Sequence, residues 1–337
     1  MTGGPGYNGP PMAEPVPLLE IRHLTTVFDT PSGALPAVEG LSLAIGPAET
    51  LALVGESGSG KSVTALSILR LVVPPGRIAA GEILFRGRDV RSLDEESMRR
   101  VRGREIGLIF QEPSRALNPV FTIGAQVAEA LEVHGLAHGR PARARAVEWL
   151  ALAGVPDAAA RARDYPHQLS GGLLQRAAVA AALACQPALV VADEPTSSLD
   201  ATVAGQVLDL LARLRATFGL SMLLITHDLD IAARMADRVA VMYAGRLVEE
   251  GPTGRLLHHP SHPYTAGLLA AAPRGVPGRL PALPGSVPPL GPPRPGCAFA
   301  PRCPRRTTEC DTACPGRTDS PGSHRVWCHH PEAASRA

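Results

Sequence analysis

The segment LALVGESGSGKS, residues 51–62, constrains the fold more than any other part of the sequence, and it holds the only lysine of the chain. The short apolar run Leu51–Val54 predicts a buried strand, and the periodicity of Ser62–Leu71 predicts a helix directly after it. The glycines between them match the pattern G-x4-G-K-[ST], in which backbone N–H groups surround phosphate oxygens where no Cβ would fit. Strand, glycine loop and helix in this order predict an α/β fold that binds a nucleotide.

The positions of this phosphate loop have separate predicted roles. Lys61 would reach the β- and γ-phosphates, and the Ser62 hydroxyl would ligate Mg²⁺. The helix that begins near Ser62 would add the positive end of its dipole. A glycine-rich turn with a chance lysine is the alternative, and the flanking strand and helix disfavour it. The nucleotide-binding candidates of the loop are Gly55, Glu56, Ser57, Gly58, Ser59, Gly60, Lys61, Ser62 and Val63.

A second apolar run, ALVVADEP at residues 188–195, ends in two carboxylates. Asp193 would hold Mg²⁺ directly or through water, and Glu194 would act as general base on an attacking water. An Asp-Glu pair at a strand end is by itself more often a solvated turn. Because this pair follows the phosphate loop by roughly 130 residues, it predicts the second half of one nucleotide site.

The composition excludes several other classes of protein. The chain has 337 residues and a formal net charge of +2, which is too small to indicate nucleic acid or an anionic membrane as partner. Its longest apolar stretch, Ala177–Cys185, is far shorter than the ~20 residues of a membrane-spanning helix. Residues 1–17 are rich in Gly and Pro without the pattern of a signal peptide. We therefore expect a disordered leader and a cytosolic protein that can still bind proteins embedded in a membrane.

The rest of the chain alternates predicted strands and helices. Ala, Leu, Arg and Glu recur at helical spacing from about residue 118 to 168, which predicts an inserted helical subdomain. Residues 188–193 and 221–226 are apolar strands of the buried parallel kind, and the helical pattern of Ala201–Phe218 completes a βαβ unit. Residues 273–295, crowded with Pro and Gly, predict an extended linker. Further strands are predicted at Leu18–Phe28, Leu41–Ile45 and Gly81–Arg86, with a hairpin at Arg238–Val248.

The segment HQLSGGLLQR at residues 167–176 resembles the signature motif of ATP-binding cassette (ABC) ATPases. The phosphate loop, the Asp193-Glu194 pair, SSLD (197–200) and ITHD (225–228) occur in the order typical of that family, and the resemblance covers roughly residues 18–257. Leu173 departs from the Gln or Met that is usual after the signature core.

This resemblance implies a P-loop ATPase with a RecA-like core, an antiparallel β subdomain and a helical subdomain at about residues 112–168. It also implies that residues 258–337 form a small, irregular, cysteine-bearing extension.

The resemblance further implies roles for residues outside the phosphate loop. Phe28 would stack on adenine, and Gln111 would ligate Mg²⁺, sense the γ-phosphate and move with the helical subdomain. His227 would contact the γ-phosphate and place water beside Glu194. The predicted catalytic residues are Glu194, His227, Lys61 and Gln111.

In the family, two cassettes face each other head to tail with ATP between them. The resemblance therefore implies that Ser170, Gly171 and Gly172 serve the nucleotide of a partner chain. The N-terminus of the signature helix would point at that γ-phosphate. Asp200 would lie across the dimer interface.

Three segments resemble one branch of the family, the dipeptide, oligopeptide and nickel importers: IFQEPSRALNP (109–119), HHPSHPYTAGLLAAAP (258–273) and GCAFAPRCPRRTTEC (296–310). The resemblance implies an ATP-binding subunit of a bacterial dipeptide/oligopeptide importer on the cytoplasmic face of the membrane. Its partners would be a second, paralogous cassette, two membrane permeases and, indirectly, an extracytoplasmic binding protein. Nickel, haem or another small solute as cargo and a soluble ABC ATPase outside transport are the alternatives.

Five of the six cysteines lie between residues 297 and 328. A cytosolic location favours metal ligation over disulfides, and only one pair has the close spacing usual for structural zinc. By the resemblance, a [4Fe–4S] cluster would be held by Cys297, Cys303, Cys310 and Cys328, with Cys314 left over. Zinc and unliganded thiols are the alternatives. The sixth cysteine, Cys185, lies in an apolar helical stretch and is predicted to be a small core residue.

Overall fold

The computed structural model describes residues 16–271, 283–292, 294–320 and 322–332 of the chain. The predicted leader lies almost wholly outside these ranges, as does about half of the predicted linker. Within them the strands form two sheets, one of four strands and one of eight. The strands are β1 (Leu19–Thr30), β2 (Gly33–Ile45), β3 (Thr50–Val54), β4 (Gly76–Phe85), β5 (Arg88–Asp89), β6 (Ile106–Ile109), β7 (Leu189–Asp193), β8 (Ser221–Thr226), β9 (Arg238–Tyr243), β10 (Arg246–Pro252), β11 (Arg317–Ser320) and β12 (His324–Trp327).

The larger sheet has the strand order β11-β12-β10-β9-β3-β8-β7-β6, and the neighbours from β9 to β6 are parallel. Its centre is apolar on both faces because alternate residues of β3 pack into different cores. Leu51 and Leu53 pack on the side of the smaller sheet. Ala52 and Val54 pack with Tyr264 and other residues near the C-terminus. A strand covered on both faces reads as a continuous apolar run, which is why the sequence predicts it well.

The smaller sheet is antiparallel, with the order β2-β1-β4-β5. One face packs on the larger sheet through residues such as Ile21, Leu43 and Ile83, which are nearly inaccessible to solvent. β2 begins at Gly33, earlier than the predicted Leu41, because Ala34–Val38 continues the pairing with β1 through irregular register. The pairing partner, not the local pattern, extends this strand.

The helices cover both faces of the larger sheet, and the four helices between residues 113 and 161 form the helical insertion. Its position on the sheet is fixed partly by Trp149, whose ring lies 5.3 Å from that of Phe218. Cys185 is 2% exposed, as expected of a core residue. No helix in the described ranges is long and apolar enough to cross a membrane. The helices are α1 (Lys61–Ile68), α2 (Glu95–Val101), α3 (Pro113–Ala116), α4 (Ile123–Val133), α5 (Gly139–Leu152), α6 (Ala158–Arg161), α7 (Gly171–Leu183), α8 (Ala201–Phe218), α9 (Leu229–Met235), α10 (Thr253–His258), α11 (Pro263–Ala271) and α12 (Thr308–Thr312).

The C-terminal extension is more regular than the sequence predicted, because β12 pairs with β10 and β11 pairs with β12. The junction is held by Glu249, which is 0% exposed. Its carboxylate accepts hydrogen bonds from His324 Nε2 at 2.7 Å and from the N–H groups of Ser261 and His262 at 2.6 and 3.0 Å. A buried carboxylate needs such partners. These partners are too far apart in sequence for a local pattern to reveal the four-residue strands that they stabilise.

Candidate nucleotide-binding site

The strands β3, β8, β7 and β6 end at one edge of the larger sheet, and the segments that follow them surround one cavity. This cavity of about 820 Å³ lies within the ~300–1,000 Å³ typical of small-molecule sites. It brings together most of the phosphate loop with Phe28, Gln111, Glu194 and His227. Parallel strands place their carboxyl ends together, so motifs far apart in sequence meet here.

Lys61 is 5% exposed, and its ammonium is directed at the loop itself. Nζ donates hydrogen bonds to the carbonyl oxygens of Gly55 at 2.8 Å and Glu56 at 3.0 Å. Burial lowers the pKa of Lys61, while the charges of Glu194, Asp193 and Glu56 oppose that shift. An ammonium held by carbonyl oxygens in this way can give up these hydrogen bonds for hydrogen bonds to phosphate oxygens, which are stronger acceptors.

Two glycines of the loop have no room for a side chain. A Cβ on Gly60, whose φ is +101°, would lie 2.4 Å from the Ala37 carbonyl oxygen. A Cβ on Gly55 would lie 2.2 Å from the Met242 carbonyl oxygen. The loop is therefore packed against neighbouring backbone, and α1 begins directly after Gly60. Ser59 is fully buried and lies behind the loop, with Oγ 3.5 Å from Lys61 Nζ.

The Ser62 hydroxyl and the Asp193 carboxylate lie next to each other and are candidate ligands for Mg²⁺. Ser62 Oγ donates to Asp193 Oδ1 at 3.1 Å. Burial raises the pKa of Asp193, and this hydrogen bond opposes the shift. A hydroxyl and a carboxylate are ligands that Mg²⁺ accepts alongside substrate phosphates and water. The donor set therefore fits the ion.

Glu194 contacts two of the other predicted catalytic residues, Gln111 and His227. Its Oε2 lies 3.4 Å from Gln111 Nε2 and 3.3 Å from His227 Nδ1. The Glu194 side chain is 15% exposed and the His227 side chain 61%. The φ of Glu194 is +43°, in the left-handed region that disfavours residues other than glycine. Such strain is common where a side chain must be aimed at a reacting group.

The signature residues lie outside this cavity. Ser170 and Gly171 are exposed at the start of α7. A Cβ on Gly172 would lie 2.6 Å from Val203 Cγ1, so the signature packs against the start of α8. Asp200 caps α8 by accepting hydrogen bonds from the N–H groups of Thr202 and Val203. The chain thus presents the N-terminus of α7 outward instead of to its own nucleotide cavity.

The extension contributes residues that the sequence did not predict. Leu268 and Leu290 line the nucleotide cavity. The Tyr264 hydroxyl accepts a hydrogen bond from the Glu56 N–H at 2.9 Å, and Arg302 Nη1 lies 2.9 Å from Glu56 Oε1. The carboxylate of Glu56, predicted to bind nucleotide, is therefore paired with an arginine. No local signal could reveal these contacts, which join residues 208 and 246 positions apart.

The four predicted cluster ligands, Cys297, Cys303, Cys310 and Cys328, line a second, small cavity. Burial raises the pKa of Cys297 and Cys303, and that of Cys328 to about 11. Cys314 lies apart from them, beside Arg246. In the described part of the chain no group of three or more His, Cys, Asp or Glu side chains is arranged to hold a metal ion.

His262 also lines the cysteine cavity and is 1% exposed. Its Nδ1 accepts a hydrogen bond from the Tyr264 N–H at 3.0 Å, so the proton of the neutral ring is on Nε2. Burial lowers the pKa of His262 to about 4, which keeps the ring neutral. Among the described residues Nε2 has no hydrogen-bond partner. An N–H donor without a partner beside four thiols fits an anionic group in the cavity.

Two family models match the chain. One, described as ABC transporter, matches residues 38–197, and one, described as the C-terminal region of oligopeptide/dipeptide transporters, matches residues 248–310. A putative peptide import ATP-binding protein of Brucella melitensis is 49% identical over 320 residues, which is 89% of this chain and 93% of that protein. The dipeptide transport ATP-binding protein DppD of Bacillus subtilis is 44% identical over 314 residues, which is 92% of this chain and 94% of that protein.

Solved structures are similar over the cassette. The dimeric, post-hydrolysis structure of the ATP-binding cassette MJ0796 bound to ADP and phosphate has a TM-score of 0.63 and 29% identity, covering 70% of this chain and 98% of that one. CbiO1 of Clostridium perfringens, part of an ABC transporter complex, has a TM-score of 0.61 and 25% identity, covering 72% of this chain and 91% of that one.

The chain belongs to the family of ATP-binding subunits of ABC transporters, and it has the P-loop ATPase fold that the sequence predicted. Within this family its C-terminal region is that of the oligopeptide/dipeptide transporter branch. Both predictions from the sequence, the ABC family and its peptide-importer branch, are therefore confirmed. ATP is therefore the nucleotide that this chain binds, and Mg²⁺ accompanies ATP in this class of enzyme.

Proposed function

We propose that the protein supplies the ATP hydrolysis of a bacterial importer of dipeptides or oligopeptides. The observation that carries this proposal is the match of residues 248–310 to the C-terminal region of oligopeptide/dipeptide transporters. That region lies beyond residues 38–197, which match the general ABC transporter model, so it distinguishes one branch from the others. Relatives named for peptide import at 44% and 49% identity support the same branch.

We propose that the residues around Glu194 carry out the hydrolysis. Lys61 would bind the β- and γ-phosphates, and Ser62 and Asp193 would hold Mg²⁺, which when bound neutralises charge on the phosphate oxygens. Water would attack the γ-phosphorus while Glu194 accepts its proton, and ADP would leave. The contacts of Gln111 and His227 with Glu194, at 3.4 and 3.3 Å, support roles in positioning that water and the γ-phosphate.

The site of one chain is proposed to be completed by a second cassette. The exposure of Ser170 and Gly171 at the free N-terminus of α7 supports this arrangement, because unsatisfied N–H groups there would bind a partner's γ-phosphate. Asp200 would lie at the same interface. ATP would hold the two cassettes together, and its hydrolysis would release them.

The further partners follow from the proposed role. We propose a paralogous second cassette, two membrane permeases and, indirectly, an extracytoplasmic binding protein, with the chain on the cytoplasmic face of the membrane. Cassettes of peptide importers work as dimers with permeases, which supports this assembly.

The proposed transport function is tested by reconstitution. The chain is co-expressed with candidate permeases and a paralogous cassette, purified as a complex and placed in liposomes with a candidate binding protein. We expect ATP-dependent uptake of a labelled dipeptide that a Glu194→Gln complex does not support. Uptake of nickel or haem without dipeptide uptake would contradict the assigned cargo, and failure to bind any permease would contradict transport.

We also propose that Cys297, Cys303, Cys310 and Cys328 hold a [4Fe–4S] cluster. Their shared cavity supports an anionic group there, as does the His262 Nε2–H, which has no hydrogen-bond partner among the described residues. Such a cluster, when bound, would cross-link the chain segments that carry the four cysteines. Burial raises the pKa of the Cys297, Cys303 and Cys328 thiols, so an incoming cation must displace their protons.

Iron and acid-labile sulfide are measured on protein purified without oxygen. We expect about four of each per chain, with broad absorption in the visible range, and we expect Cys328→Ser to lose most of the iron. Cys314→Ser is the matched control, because Cys314 lies outside the cavity, and it should keep the iron. A colourless, iron-free preparation would contradict the cluster, and zinc in its place would favour a structural metal.

A further inference from the structure

The C-terminal extension contacts the phosphate loop at Glu56, whose carboxylate has no part in the proposed chemistry. Arg302 Nη1 donates to both carboxylate oxygens of Glu56, at 2.9 and 3.2 Å. The Glu56 N–H donates to the Tyr264 hydroxyl at 2.9 Å. The side chain and the main chain of one loop residue are thus both held by residues of the extension.

Arg302 is itself fixed from several sides. Its Nε donates to the Pro284 carbonyl oxygen at 2.7 Å, and its Nη1 lies 3.4 Å from the Tyr243 hydroxyl. The guanidinium carbon lies 5.7 Å from the Tyr243 ring centroid and 5.9 Å from that of Phe299. Arg302 is 8% exposed. Because the guanidinium is held rigidly, it determines where the Glu56 carboxylate lies.

Tyr264 is equally well fixed. It is 0% exposed, and its ring centroid lies 4.7 Å from that of Tyr243 and 5.3 Å from that of Phe299. Its hydroxyl accepts a hydrogen bond from the N–H of Glu56, the second residue of the phosphate loop, and so helps to fix the position of that residue. The loop is therefore held from the extension as well as from β3 and α1.

The charge of Glu56 matters because of what lies beside it. It is near enough to Lys61 to act on the ammonium, and Lys61 Nζ also donates to the Glu56 carbonyl oxygen at 3.0 Å. A carboxylate without a counter-charge here would attract Lys61 and repel a triphosphate, and both effects weaken ATP binding. Arg302 supplies that counter-charge.

We propose that Arg302 and Tyr264 are positioning residues for ATP binding, which act by neutralising Glu56 and fixing the first turn of the phosphate loop. Neither of them lines the nucleotide cavity. The extension thereby has a role inside the ATP site of its own chain, in addition to whatever the cysteine cavity holds.

The test is a double-mutant cycle on the full-length chain, with Mg²⁺ and a non-hydrolysable ATP analogue as the titrated ligand. We expect Arg302→Met, which removes the charge, to raise the Kd about tenfold. In a Glu56→Gln background the same replacement should change the Kd less than about twofold, because no carboxylate is left to neutralise. In steady-state ATP hydrolysis, Arg302→Met should raise KM, with kcat within about twofold.

Matched variants separate this role from a general effect of the extension. Arg306→Met removes another ion pair of the extension, that with Asp311 at 2.9 Å, and should leave the Kd unchanged. Arg302→Lys keeps the charge and should raise the Kd no more than about threefold, a rescue that packing alone would not give. Tyr264→Phe should raise the Kd about threefold through the loop N–H.

The outcomes are distinguishable from loss of folding. Melting temperatures without nucleotide report the stability of each variant. If Arg302→Met does not fold, the cycle is run with Arg302→Gln, which also removes the charge, in both backgrounds. An equal rise of Kd with and without the Glu56 carboxylate would overturn the proposal, since Arg302 would then act through packing alone. An unchanged Kd for folded Arg302→Met would overturn it as well.

Discussion

In the nucleotide cavity the main polar groups come from segments that follow buried parallel strands: the phosphate loop with Lys61 follows β3, Glu194 follows β7 and His227 follows β8. In the cysteine cavity the groups come from turns, short helices and the residues after β12, between residues 262 and 330, and no set of parallel strands aligns them. The sheet brings distant motifs together wherever the strands are parallel. The cysteine cavity depends instead on specific long-range contacts, which a local pattern does not encode.

The largest expected effect is on the proposed general base of the nucleotide cavity. Glu194→Gln keeps the volume and the hydrogen bonds but cannot accept a proton, so we expect kcat for ATP hydrolysis to fall about a thousandfold with ATP binding retained. Phosphate release and nucleotide binding are measured separately. Glu112→Gln, at a half-exposed side chain near the same cavity, is the control. Retained turnover in Glu194→Gln would remove Glu194 from the proposed chemistry.

A smaller loss is expected from Lys61→Arg, which keeps the charge but changes its shape. Lys61 is 5% exposed and directed at the carbonyls of Gly55 and Glu56, so a planar guanidinium does not fit between them and the phosphates. We expect turnover to fall at least about a hundredfold. The reciprocal change Arg306→Lys at the surface should leave turnover as it is. Near-normal hydrolysis by Lys61→Arg would refute this account of the only lysine.

The phosphate-loop glycines allow a sharper comparison of the cavity wall. Gly60→Ala would place a Cβ 2.4 Å from the Ala37 carbonyl oxygen, whereas a Cβ on Gly58 meets nothing within 4 Å. Both residues have positive φ, so both replacements cause backbone strain of about 1 kcal/mol. We expect Gly60→Ala to raise the Kd for ATP more than about tenfold and Gly58→Ala by about threefold. Equal effects would mean that strain, not the clash, decides.

The smallest effect concerns the junction that holds the extension to the sheet. His324→Ala removes one of the three hydrogen bonds to buried Glu249, so we expect the free energy of unfolding to fall by about 2 kcal/mol. Urea unfolding measures it. His138→Ala, at an exposed position, should change it by less than about 0.5 kcal/mol. A two-step transition in His324→Ala would indicate that the extension unfolds by itself.

The sequence could predict the cassette because its site residues lie in short motifs at strand ends. Apolar runs such as Leu51–Val54 and Leu189–Asp193 identify buried strands, and the residues after them then share one edge of the sheet. Strand β2 was predicted too short because its first half is defined by pairing with β1, not by its own pattern. Strands β11 and β12, four residues each, have no pattern long enough to predict.

The amino-acid sequence by itself determined that this chain binds a nucleotide and which family it belongs to, and it predicted which residues would meet the phosphates, because those features are local and ordered along the chain. Only the tertiary structure decided that Arg302 and Tyr264 hold Glu56. It also decided that Cys314 lies apart from the other four clustered cysteines. The same is true of His262 Nε2, which has no hydrogen-bond partner among the described residues. These features depend on burial and on charges brought together from positions far apart in sequence. Such contacts form only when the core excludes water from between them.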